Sequence, residues 1–219
     1  MRRKIYPGLL AFLIFLVIIL ANTLFIFYDT SFVHNEFEKL GVDVSNATKI
    51  DREIRDYLVG DKQELNTDFL NEKEKRHLDD VKRLFTLGKI LLGLFVLIIA
   101  VIIFEMKGSE MPKTGIFLGG FFVAFTCLAL IVLNFFDTSF IIFHKLFFTN
   151  DLWMMTPHDN IIQLYPQQFF MNTFGKIVKR SVVWLVIAIG LFNLKYIWKL
   201  ILKIKKYFSF GQGKKTKNI

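Results

Sequence analysis

The chain has 219 residues, of which 53% are hydrophobic, and a mean hydropathy of +0.44, a balance too apolar for an ordinary soluble domain. The formal net charge of +9 raises nucleic acid as a partner, but position argues against it. The basic residues gather at Arg2, Arg3 and Lys4 and at Lys195, Lys199, Lys203, Lys205, Lys206, Lys214, Lys215 and Lys217, beside apolar runs, as in anchoring to anionic headgroups.

The first apolar run, residues 5–28, carries no charge and is long enough to cross a bilayer. A basic segment precedes it, as in a signal peptide, but the run is too long for an h-region and lacks a small-x-small exit, so a retained span is expected. The next segment is charged. Within it, Ile54, Tyr57 and Leu58 recur at helical spacing and Gly60 offers a stop. Asn71 can cap a further helix that runs through His77 into the second apolar run, 84–104. On that helix His77, Val81, Leu84 and Phe85 fall along one face, about two turns above the apolar stretch for His77. Asp80 lies on the same side. Lys89, the one charge in the second run, can snorkel to headgroups or meet a lipid substrate there.

The third run, 114–136, is uncharged, and Gly115, Gly119 and Gly120 permit close helix approach near its start. It contains the single cysteine, Cys127, so neither an internal disulfide nor a cysteine-based zinc site can form. The segment 137–180 is crowded with aromatics yet holds His144, Asn150, Asp151, Trp153, His158, Asp159 and Tyr165. Its first part, 138–148, reads as a helix with Phe140, Ile141, His144, Phe147 and Phe148 on one face. Pro157 and Pro166 break the rest of the segment into short elements. The fourth run, 181–201, is uncharged to Leu194, and from there Lys195, Lys199 and Lys203 recur on one helical face.

Four spans put both termini on one side, and the terminal basic clusters make that side the cytoplasm. The expectation is an all-α membrane protein, a single integral domain over 1–219, with four transmembrane helices and helical extracellular segments at 29–83 and 137–180. Lys176, Lys179 and Arg180 weaken the charge asymmetry without reversing it. With Lys145, they could also meet lipid phosphate, although a solvated rim is the simpler reading.

Three histidines invite a chemical reading. His77 with Asp80 could be an imidazole oriented by a carboxylate, or an exposed histidine on a charged helix. His144 interrupts an aromatic face, where an unpartnered ionisable group is costly. It reads as a second proton carrier, a donor to an oxyanion, or a buried satisfied ring. His158 and Asp159 sit in a turn that accounts for the aspartate without chemistry, although Asp159 could clamp a site. Trp153 and Tyr165 fit an interfacial belt or an acyl-chain groove. No G-x-S-x-G, S-x-x-K, H-E-x-x-H or Walker sequence is present, so any chemistry falls to histidine acting on a nucleophile that arrives with the substrate.

The strings HLDDV (77–81), FHKLFF (143–148), NDLW (150–153) and DNIIQLYPQQFF (159–170), set among four spans, resemble the lipoprotein intramolecular transacylase family, Lit, of Gram-positive bacteria. The resemblance implies a membrane enzyme that needs no cofactor or metal. It moves the sn-2 acyl chain of a diacylglyceryl lipoprotein to the α-amine of the N-terminal cysteine, leaving a lyso-form lipoprotein. It further implies that His77 and His144 are the essential pair, with no covalent protein intermediate. On this reading Asp80 supports His77. Asn150, Trp153, Asp159, Tyr165 and Lys89 bind the diacylglyceryl lipoprotein substrate, and membrane lipid is the further partner. Two other readings stay open: a metal-dependent membrane hydrolase using His77, His144 and His158, and a non-catalytic sensor or accessory subunit.

Overall fold

The computed structural model describes residues 6–106 and 109–213, with side-chain surroundings through Leu194. The clusters at Arg2, Arg3 and Lys4 and at Lys214, Lys215 and Lys217 lie outside the described residues, as do the side chains of Lys195, Lys199, Lys203, Lys205 and Lys206. Among the described residues eight α-helices run in order: α1 (Tyr6–Phe25), α2 (Thr30–Leu40), α3 (Val44–Val59), α4 (Glu72–Glu105), α5 (Met111–Asn134), α6 (Phe136–Phe147), α7 (Asn160–Leu164) and α8 (Gln167–Gly213), with a short 3-10 turn at Ile26–Tyr28.

Helices α1, α4, α5 and α8 carry stretches long and apolar enough to cross a membrane. They expose Ile90, Leu97 and Val101 on α4, Ile116 and Val123 on α5, and Leu191 on α8. Lipid, not water, is the solvent that tolerates such surfaces, and helices satisfy their backbone polar groups internally there. Helix α1 is the hub and packs against each of the other three. Leu10 and Leu13 meet Ile102 and Met106 of α4, while Ala11 meets Leu118 of α5 and Leu185 of α8. Its apolar stretch is 33% buried, against 11% for the other three, which suits a retained central span.

Of the three glycines expected to bring helices together on α5, Gly115 does so. A Cβ there would overlap the Asn193 amide of α8, whereas Gly119 and Gly120 face open space. Gly88 on α4 plays the same part against Leu20 and Leu24 of α1, where an added Cβ would lie 3.4 Å from Leu20 Cδ1.

Above one end of the bundle sits a helical head built from α2, α3, α7 and the first turns of α4 and α8. Its core joins Phe37, Ile54, Leu78, Leu164 and Phe169. Gly60, at φ 95°, closes α3 in the left-handed conformation, and Asn71 opens α4 with a reciprocal capping box to Glu74. Inside the head, Asp51 pairs with Arg55 at 2.6 Å and accepts the Tyr165 hydroxyl at 2.8 Å. Burial pushes the Asp51 carboxyl up, with Arg55 opposing, and pushes the Tyr165 phenol well above its ordinary value, with Asp51 adding to it. Tyr165 is therefore a core residue of the head, with its hydroxyl engaged by Asp51. Lys89 is likewise occupied. Its ammonium donates to the Val59 carbonyl at 2.7 Å, tying the end of α3 to α4.

The head also explains the basic residues at the start of α8. Asp29, the N-cap of α2, holds Lys176 at 2.8 Å and Arg180 at 3.4 Å. Two of the three cations that weaken the charge asymmetry thus share one carboxylate, which offsets one of their two charges.

Candidate functional site

Two helix starts bring the site together. The capping box fixes where α4 begins, so His77 falls in its second turn, above the apolar stretch and within the head. At Phe135 (φ −122°, ψ 45°) the backbone leaves the helical region, separating α5 from α6. Helix α6 then presents Phe140, His144 and the following Phe148 inward at i, i+4 and i+8. Ile141 and Phe147, expected on the same face, are exposed at 45% and 48%. The inward face is thus narrower than the sequence pattern suggested, and the remainder of the helix is largely exposed.

The imidazoles of His77 and His144 lie with ring centroids 6.2 Å apart, each buried to within 9% of full burial. Aromatic rings enclose them. Phe148 meets His77 edge-on at 5.1 Å and stacks on His144 at 5.6 Å. Trp153 stacks on the His144 ring at 5.0 Å, and Phe140 lies 4.2 Å away.

This enclosure sets the protonation states. His144 Nδ1 lies 2.7 Å from the Phe140 carbonyl oxygen. A carbonyl only accepts, so Nδ1 carries the proton and Nε2 of the neutral ring keeps its lone pair. Burial lowers the affinity of His144 for a second proton, with that carbonyl opposing. His77 is held down to about 4, first by burial and then by His144, against an opposing pull from Asp80 that outweighs the further lowering by Lys73. Its Nδ1 is buried with no hydrogen-bond partner among the described residues. Both rings are neutral at pH 7.

The other expected site residues have partners of their own or lie at the surface. Asp80 accepts from Asn150 Nδ2 at 2.8 Å and lies 3.7 Å from Arg83, so its carboxylate engages these groups and not His77 Nδ1. Asn150 has its amide nitrogen on Asp80 and its amide oxygen on the Leu152 backbone N–H, at 3.0 Å. Asp159 accepts from the backbone and hydroxyl of Thr156, which hold its carboxyl below the ordinary range. It clamps a turn at the surface. His158 is exposed, and its carbonyl accepts from Gln163 at 3.3 Å. Among the described residues no three His, Cys, Asp or Glu side chains are arranged to hold a metal ion.

Glu74 belongs to this region although no sequence pattern considered above singled it out. It is fully buried, with one carboxylate oxygen on the Asn71 N–H at 2.7 Å and the other on the Ile161 N–H at 2.9 Å. It anchors the segment that returns from α6 to α8. The N-x-x-E spacing at Asn71–Glu74 was the available signal.

Comparison with known proteins agrees with this architecture. The family model described as lipoprotein intramolecular transacylase Lit matches residues 6–170. The structure of the membrane-integral lipoprotein intramolecular transacylase Lit from Bacillus cereus is similar in fold, with a TM-score of 0.77 at 19% identity, over 91% of this chain and 98% of that one. Two variants of the Bacillus cereus protein, with one histidine replaced by arginine or by alanine, each match with a TM-score of 0.74 at 18% identity. They cover 91% of this chain and 94% and 96% of theirs, respectively. No curated protein matches the chain. The family match takes in both histidines and most of the chain: this membrane-integral protein belongs to the lipoprotein intramolecular transacylase (Lit) family.

Proposed function

We propose that the protein transfers the sn-2 acyl chain of a diacylglyceryl lipoprotein to the α-amine of its N-terminal cysteine. The observation that carries this reading is the pair of neutral, buried imidazoles 6.2 Å apart, contributed by α4 and α6. Donor and acceptor are parts of one substrate, so the protein need supply only proton transfer, oxyanion stabilisation and proximity. The amine nitrogen attacks the ester carbonyl carbon, forming the C–N bond and a tetrahedral oxyanion. Collapse breaks the bond to the glycerol sn-2 oxygen. The amine loses a proton, the glycerol oxygen gains one, and no water or covalent protein intermediate enters.

His144 is assigned as the base, because its Nδ1–H is committed to Phe140 and Nε2 is the nitrogen left to accept. The protonated ring then returns the proton to the glycerol oxygen. His77 is assigned to the oxyanion. It is neutral, and a buried ring nitrogen without a protein partner suits a substrate oxygen. Trp153 and the lipid-facing Phe143 and Phe147 of α6 flank the acyl chain. The head and histidines lie at the external leaflet and both termini in the cytoplasm, with bundle and head acting as one integral unit. The basic clusters that flank the apolar runs at both ends of the sequence support that orientation.

The test uses purified protein and a synthetic diacylglyceryl lipopeptide with an isotopically labelled sn-2 chain. Mass spectrometry should find the label on the peptide amine. Labelled free fatty acid would indicate a hydrolase, and unchanged lipopeptide would indicate an accessory protein.

A further inference from the structure

The segment 149–159 between α6 and α7 forms a strap over the histidine pair, and its attachments form a pattern. Lys73, Glu74, His77 and Asp80 fall along one side of α4, at i, i+1, i+4 and i+7. The three that flank His77 each hold one point of the returning chain. Glu74 accepts the Ile161 N–H at 2.9 Å, Lys73 donates to the Met154 carbonyl, and Asp80 accepts from Asn150 at 2.8 Å. The ends differ in kind. The Glu74 end is fully buried and is reinforced by Asn160 donating to the Phe69 carbonyl at 2.6 Å. The Asp80 end is at the surface, with Asn150 exposed. Between them Trp153 stacks on His144.

We propose that Asp80 is a positioning residue that acts through Asn150. Their hydrogen bond latches the free end of the strap and thereby keeps Trp153 on His144, fixing the ring that serves as base. The inference rests on the histidine roles proposed above. Asn150 suits the part because it works with both ends of its amide: the nitrogen reaches Asp80 while the oxygen braces the Leu152 N–H, shaping the turn that carries Trp153. Direct orientation of His77 by Asp80 does not fit, since His77 Nδ1 has no hydrogen-bond partner among the described residues. What the latch needs from Asp80 is an acceptor oxygen, not a charge.

The full-length protein tests this with Asp80→Ala, Asp80→Asn, Asn150→Ala and the double alanine variant. Each single alanine change should lower kcat by about tenfold or more with a smaller change in KM, as expected for a misplaced catalytic ring. The double variant should be no worse than either single one. Asp80→Asn, which keeps an acceptor for the Asn150 amide, should recover most of the rate. In a background with Trp184→Phe and Trp198→Phe, iodide should quench Trp153 about twofold more strongly in both alanine variants, and no more strongly in Asp80→Asn. Loss in Asp80→Asn equal to that in Asp80→Ala, additive alanine losses, or unchanged quenching in Asp80→Ala would each overturn the latch. The quenching arm needs no turnover. A failure of the histidine assignment, seen as activity surviving in His144→Ala, is therefore distinguishable from a failure of the latch.

Discussion

Opening the aromatic enclosure should restore ordinary proton affinity to the site, and Phe148→Ala is the change that does it. Phe148 is 8% exposed and touches both imidazoles, and burial is the first cause holding His77 near 4. Against an ordinary histidine value of about 6.5, that depression corresponds to roughly 3 kcal/mol in favour of the neutral ring. The sign is fixed: activity needs neutral imidazole, so it persists as pH falls until the ring's own pKa is passed. The attacking amine, with a pKa near 8, imposes a separate tenfold loss per pH unit below that value. Both rings are held below the ordinary histidine value, so the native protein should keep this single slope through pH 6.5 and steepen only at lower pH. In Phe148→Ala the steepening should move towards 6.5. At pH 5.5 a ring with pKa 4 is about 97% neutral and one with pKa 6.5 about 9%, so the variant should lose about tenfold more rate than it loses at pH 7.5. The assay is initial rate against pH with the lipopeptide in mixed micelles, normalised at pH 7.5. A native profile that already steepens at 6.5 would refute the enclosure argument.

The same contacts set other outcomes. Tyr165→Phe removes the hydroxyl that satisfies buried Asp51, and should destabilise the head by about 1–3 kcal/mol while leaving turnover of the folded protein near normal, measured by hydrogen exchange and activity at low temperature. Gly115→Ala forces a Cβ into Asn193 and should cost about 1–3 kcal/mol in thermal stability in detergent. Gly119→Ala, which meets nothing within 4 Å, should be neutral or slightly stabilising. Chelation with EDTA should leave the rate unchanged, and a loss restored by zinc would favour the hydrolase reading.

Much of this architecture was legible in the chain because its signals are local. Long apolar runs with few charges marked the four membrane-length helices, Gly60 marked the end of α3, and Asn71 marked the start of α4 that sets the height of His77. What escaped depends on contacts between elements. Helical periodicity put Asp80 on the His77 side of α4, but a helix face does not specify which loop will lie on it, and Asn150 claims that carboxylate from far along the chain. Tyr165 looked like a groove residue because it is aromatic and amphipathic. Only the fold reveals buried Asp51 as the partner of its hydroxyl. Lys89 read as a snorkelling lysine because the Val59 carbonyl it satisfies belongs to another helix. The meeting of His77 with His144 came from the family resemblance, not from spacing, and no local rule would have supplied it.

The central claim is that these two imidazoles carry the acyl shift. Its most direct measurement is mass spectrometry of lipoprotein N-termini from cells that express the native protein, His77→Ala or His144→Ala at equal membrane levels. N-acyl lyso-form product should appear with the native protein and be absent with either variant, the diacylglyceryl form persisting in its place. Native levels of lyso-form product in either variant would contradict the account.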